Sequence, residues 1–208
     1  MAVAGEGGST ERAGYRRSKG SARGEARRRE LLDKVTDDLA ANGLVDFSLR
    51  RAARAAGTTH KVLLYYFDGA DALLTEAILH LRERRIEKGM LVAAGGPADR
   101  TLPDRVRAMW PILVGDEARV LDQAIGLAMY DPDRYAELGR GASQQYLPSL
   151  LSICPGHWTQ QRKLEVSELI LAVLRGFLVD ARTSGDTAGI AAGFDALVRA
   201  LEREEAAG

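Results

Sequence analysis

The stretch SLRRAARAAGTTHKVLLYYF, Ser48–Phe67, decides how this chain is read. Ser48 has the side chain of a helix N-cap, and after it Leu49, Ala52, Ala53 and Ala56 fall on one side of a helix. Arg50, Arg51 and Arg54 then point elsewhere. Gly57 ends that helix, Thr58 and Thr59 can cap the next, and His60 through Tyr66 form a short third helix. Leu63 and Phe67 belong to the core, and Phe47, just ahead of the cap, is a further core anchor. Two short helices meeting at a glycine turn, the second displaying polar residues, make a helix-turn-helix.

Upstream, Leu31, Leu32, Val35 and Leu39 keep helical spacing from about Glu25, and Asn42-Gly43 is a stop signal. Residues 1–24 hold six glycines with Arg12, Arg16, Arg17, Lys19 and Arg23 and little to bury, so a flexible basic tail is expected there. The tri-helical unit is placed at 25–70 and a second helical region at 71–208. That region opens with a long helix from near Asp71 toward Lys88, followed by a Gly95-Gly96-Pro97 loop. Pro103 starts a helix that Pro111 should kink or interrupt. Another helix spans about 116–130, and Asp131-Pro132 caps one that ends near Ser152 with a late kink at Pro148. Helices over 159–184 and 187–204 close the chain. The expected class is all-α with about nine helices and no strand.

Composition narrows the function classes. Lys+Arg and Asp+Glu are both 29, yet residues 1–67 carry +5 and the remainder −5. A basic front beside an acidic back suggests that the first part meets a polyanion. Cys154 is the single cysteine, which excludes an intrachain disulfide and fits a reducing compartment. The first residues have no apolar segment of a secretory signal, and no run approaches the ~20 apolar residues of a membrane span, so a cytoplasmic location is expected and no membrane partner. Cys154 and His157 have C-x-x-H spacing, but two ligands cannot complete a metal site. No serine-histidine-acid order, phosphate loop or dinucleotide fingerprint is present, so neither a catalytic residue nor a cofactor is assigned. His80 and the run Arg82-Glu83-Arg84-Arg85 read as helix surface.

The short helix from His60 through Tyr66 is narrow enough for the major groove of double-stranded DNA, where its first side chains can reach base edges. His60, Lys61 and Leu64 are the exposed positions, with Arg50 and Arg51 arriving from the preceding helix. Lys61 and Arg50 can donate to guanine or to phosphate, and the sequence leaves both open.

With Ala72-Leu73-Leu74 following it, the Ser48–Phe67 stretch resembles the TetR family of transcriptional regulators over roughly residues 25–80. Leu63, Tyr65, Tyr66 and Phe67 match the family's terminal pattern; Leu64 replaces its usual DNA-contacting tyrosine, Ala70 a common basic residue, and Thr58 the usual valine at the turn. The resemblance implies base contacts from Arg50, His60, Lys61, Val62 and Leu64, and phosphate contacts from Ser48, Thr59, Tyr65 and Tyr66. It also implies an effector pocket and a dimer interface in the C-terminal helices. Expected pocket residues are Met109, Trp110, Leu113, Gln123, Leu127, Met129, Tyr130, Tyr146 and Phe177.

The interface has support from the residues themselves. Leu164, Leu169, Ile170, Leu171, Val173, Leu174, Phe177, Leu178 and Val179 cover more than one helix face, and Ile190, Phe194, Leu197, Val198 and Leu201 form a stripe on the last helix. A homodimer through the last two helices is expected, presenting two reading helices to a pseudo-palindromic operator. The expected function is a ligand-responsive regulator, a repressor that releases DNA when an unknown small-molecule effector binds. The alternative is an all-α small-molecule carrier or enzyme whose basic front is incidental.

Overall fold

The computed structural model describes residues 21–97, 99–115 and 118–207, and among these it contains nine α-helices and no strand. They are α1 (Ala22–Asn42), α2 (Leu49–Ala55), α3 (His60–Tyr66), α4 (Ala70–Ala94), α5 (Leu102–Val114), α6 (Arg119–Tyr130), α7 (Pro132–Ile153), α8 (Gln160–Thr183) and α9 (Thr187–Ala206). The expected basic tail falls at residues 1–20 outside the described part, and its last residues, from Ala22, already belong to α1. The described chain forms two compact units, residues 21–39 with 45–77 and residues 40–44 with 78–207. Helix α4 belongs to both, passing from the first to the second at Ala77–Ile78.

In the first unit Leu31, Val35 and Leu39 of the α1 stripe are each 0% exposed, while Leu32 is half-buried. Ala52, Ala53 and Ala56 of the second helical segment, Leu63 and Phe67, and Leu73, Leu74 and Ala77 of α4 are the other buried apolar residues of this unit. Each large aliphatic among them stabilises the unit by about 1.5–3 kcal/mol relative to exposure. Phe47 is only half-buried, so it contributes less to this core than its ring suggests. Arg28 ties α1 to the rest, pairing with Glu76 and lying 4.8 Å from the Phe67 ring centroid.

The second unit is built on α5, α7, α8 and α9, whose Val106, Leu150, Ile170, Leu174, Phe194 and Leu201 share one core. Caps set most boundaries: Thr101, Asp131, Thr159 and Asp186 each accept a backbone N–H in the first turn of their helices. Helix α4 runs six residues past Lys88 to Ala94, because nothing between them breaks the helix. Pro111 does not interrupt α5: it stands three residues from the helix end, where losing one N–H leaves the last turn standing. Nor is Pro148 the irregular point of α7. The non-helical backbone there is at Tyr135 (φ −116°, ψ 18°), one turn after the Asp131 cap.

Candidate functional site

The reading element is set by three local devices. Ser48 is extended (φ −156°, ψ 159°), and its Oγ accepts from the Arg51 amide at 3.3 Å, which starts α2. The chain then reverses at Gly57, whose φ of +62° lies in the left-handed region that a side chain disfavours. Thr58 N–H donates to the Ala53 carbonyl at 2.9 Å across that turn, and Thr59 Oγ1 caps α3 by accepting from the Val62 amide at 3.3 Å. With Ala52, Ala53, Ala56, Leu63 and Phe67 inside, α2 and α3 pack on each other and their opposite sides are presented outward.

That outward side carries Arg50 and Arg54 from α2 and His60, Lys61 and Leu64 from α3, all exposed. Leu64 is 48% exposed, a large apolar side chain held in water between cationic and imidazole neighbours. His60, Lys61 and Leu64 lie at i, i+1 and i+4, so they share one side of a seven-residue helix. Val62, Tyr65 and Tyr66 are half-buried, and the two tyrosine rings meet edge to face at 4.7 Å. Arg51 departs from this group. Its Nε donates to Asp38 Oδ2 at 2.7 Å, Nη1 to the Val45 carbonyl at 2.7 Å and Nη2 to the Asp38 carbonyl at 3.3 Å, so its guanidinium braces the end of α1. The hydroxyls of Ser48 and Thr59 are likewise used as helix caps, while both residues remain exposed.

In the second unit a cavity of about 120 Å³ lies among α4, α5, α6, α7 and α8. Met109, Leu113 and Tyr146 line it, as expected of them. The other expected pocket residues are elsewhere. Trp110 stacks on Phe194 at 4.9 Å and meets Phe177 edge-on at 6.1 Å, so Trp110 and Phe177 act as packing groups. Gln123 Oε1 accepts from the Leu44 amide at 3.0 Å. Met129 and Tyr130 are 79% and 88% exposed, since they lie on the last turn of α6 with nothing packed over them, and half-buried Leu127 is also outside the lining.

The walls that sequence reasoning missed include the cavity's charges. Arg82 and Arg85, expected on a solvated surface, are 1% and 8% exposed and line the cavity with Arg175 and Asp122. Arg82 donates to Gln145 Oε1 at 2.8 Å and to the Leu138 carbonyl at 2.9 Å. Arg85 donates to the Leu113 carbonyl at 2.8 Å and to the Tyr146 hydroxyl at 3.4 Å. Arg175 Nη1 donates to Ser143 Oγ at 3.1 Å, while its Nε and Nη2 are buried with no partner among the described residues. Burial pushes the Arg82 and Arg175 guanidinium pKa values below their ordinary value, and pushes the Asp122 carboxyl above its own despite Arg182 at 3.2 Å. A signal for Arg82 and Arg85 was available: with Leu74, Ile78, Leu81 and Gly89 they continue one helical stripe along α4.

Cys154 is buried and His157 exposed, so their C-x-x-H spacing brings no ligand pair together, and among the described residues no group of three or more His, Cys, Asp or Glu could hold a metal ion. No helix of the described residues is long and apolar enough to cross a membrane.

No family model matches the chain, and no curated protein matches it in sequence. Solved structures do match in fold. A candidate transcriptional regulator from Streptomyces coelicolor A3(2) is 22% identical with a TM-score of 0.62, covering 83% of this chain and 96% of its own. A candidate TetR-family transcriptional regulator from Mesorhizobium loti MAFF303099 is 16% identical with a TM-score of 0.62, covering 87% and 97%. GusR of Salmonella enterica is 17% identical with a TM-score of 0.59, covering 88% and 99%. The chain has the all-helical fold of these proteins over nearly their whole length.

Proposed function

We propose that the chain is a sequence-specific, ligand-responsive DNA-binding transcriptional regulator of the TetR type, acting as a homodimeric repressor, and that it is not an enzyme. The observation that carries this reading is the exposed face of α3, where His60, Lys61 and Leu64 stand together beyond the left-handed Gly57 turn. A short helix presenting such a face can enter the major groove, with Lys61 and Arg50 donating to base edges or phosphates and Leu64 meeting thymine methyl groups. Ser48, Thr59, Val62, Tyr65 and Tyr66 would flank it. Proteins of the same fold that bear the description of transcriptional regulators add support.

Dimerisation would use α8 and α9. The apolar stripe of α9 is buried within the subunit, so the partner would meet its other side, where Ala188, Ala192 and Ala196 are exposed. On α8 Leu169, Ala172, Gly176 and Val179 form an exposed stripe of apolar and small residues. A two-fold pairing of those faces presents two copies of α3 to an inverted repeat. Effector binding in the second unit would shift the equilibrium between DNA-competent and released states, a coupling of about 1–3 kcal/mol. Selection of duplexes from a random pool, with wild type and Lys61→Ala in parallel, tests the reading. An enriched inverted repeat whose preference weakens in the variant is expected; no enriched sequence from folded protein removes the regulator reading and favours a carrier.

A further inference from the structure

We infer that the cavity takes a small carboxylate: one anionic head held by Arg175, with Arg82 and Arg85 beside it, on a compact apolar body. This rests on the reading that the second unit binds a small molecule, and it names the chemistry of that molecule. Three guanidinium groups line the cavity, and its one acidic lining residue, Asp122, is paired with Arg182. The hydrogen bonds of Arg82, Arg85 and Arg175 go to Gln145, Ser143, Tyr146 and the carbonyls of Leu113 and Leu138, all uncharged acceptors. Asp122 also acts on Arg85, and Glu168 on Arg175, so two carboxylates face the four guanidinium groups of Arg82, Arg85, Arg175 and Arg182. Positive charge in excess is unfavourable when buried, and an anionic ligand would offset it.

The geometry of Arg175 selects among anions. Its Nη1 is taken by Ser143, which leaves Nε and Nη2, both buried and unpartnered. Those two nitrogens form the side edge of the guanidinium plane, whose parallel N–H groups match the two oxygens of a carboxylate. Size selects the rest of the ligand. A cavity of about 150 Å³ lined by apolar side chains holds benzene. The present one, about 120 Å³ and walled by Met90, Met109, Ile125, Leu171 and Leu174, limits the body to at most one ring or a short chain.

Calorimetric titration of the full chain with benzoate, phenylacetate and hexanoate, each against its own primary amide, tests this, with inorganic phosphate as the anion lacking an apolar body. At least one acid should bind tenfold or more tighter than its amide, roughly the scale of a lost charge-assisted bond pair. Arg175→Met should reduce that preference to about threefold or less, because the unpartnered Nε and Nη2 donors are gone. The acid-to-amide ratio in wild type stands even if the variant does not fold. Equal binding of every acid and its amide overturns the inference, as does an undiminished preference in folded Arg175→Met or phosphate binding as tight as the best acid. Duplex selection on the same protein separates the two readings. An enriched operator without acid preference overturns the carboxylate alone, and acid preference without an operator supports the carboxylate while removing the regulator.

Discussion

Arg50 and Arg54 on α2 and Arg82 and Arg85 on α4 meet opposite fates. Arg50 and Arg54 are exposed, whereas Arg82 and Arg85 are 1% and 8% exposed and hydrogen-bonded inside the second unit. Residue type does not separate them; helix phase does. On α2 the buried side is taken by Ala52 and Ala53, so Arg50 and Arg54 fall on the opposite side, while Arg51 turns back to Asp38. On α4 Leu74, Ile78 and Leu81 define the buried stripe, and Arg82 and Arg85 lie on its continuation. One pair keeps its charge in water, and the other makes its hydrogen bonds inside the unit.

The largest effect that could break this contrast is on stability. Arg82→Ala removes a buried side chain and its bonds to Gln145 and the Leu138 carbonyl and should lower unfolding free energy by about 2–4 kcal/mol, whereas Arg54→Ala should stay within about 0.5 kcal/mol. Urea denaturation of the pair reads both, and equal midpoints would erase the distinction. Lys61→Ala sharpens the comparison from the other side: operator affinity should fall by about 1–3 kcal/mol with the urea midpoint unchanged. Arg51→Ala lies between, because its contacts with Asp38 are partly buried while that with the Val45 carbonyl is exposed. It should destabilise by about 1–2 kcal/mol, and a double-mutant cycle with Asp38→Ala should recover a favourable coupling. Zero coupling would free Arg51 for DNA after all.

A subtler effect is expected at Gly57, where Ala would meet no atom within 4 Å but must adopt φ +62°. Thermal unfolding should report a loss of about 1 kcal/mol, from strain alone. Smallest is the pH effect at Asp122. Because burial raises its carboxyl pKa in the folded state, wild type holds the associated stability at low pH and loses it as pH rises through that value. Asp122→Asn should therefore gain on wild type as pH rises from below the ordinary carboxylate range, and an unchanged difference would mean that Arg182 and Arg85 fully offset the burial.

Much of the first unit was legible because its signals are local. The Ser48 and Thr59 caps and the Gly57 turn all depend on neighbours within a few residues. Asp131 as the cap of α7 is legible for the same reason. The cavity was read poorly, with Met129 and Tyr130 exposed and Arg82, Arg85 and Arg175 overlooked, because five helices far apart in sequence supply its walls. Pro111 and Pro148 were overread: proline forfeits one backbone bond, and a packed helix can absorb that loss.

The sequence by itself determined the helices, their order and the face α3 turns to solvent, since periodicity and capping act over single turns. Only the tertiary structure decided which charges are buried. Whether a guanidinium on a helix meets water or another helix depends on what packs opposite it. For Arg175 that is Ser143 of α7, 32 residues away, a neighbour that no local pattern names.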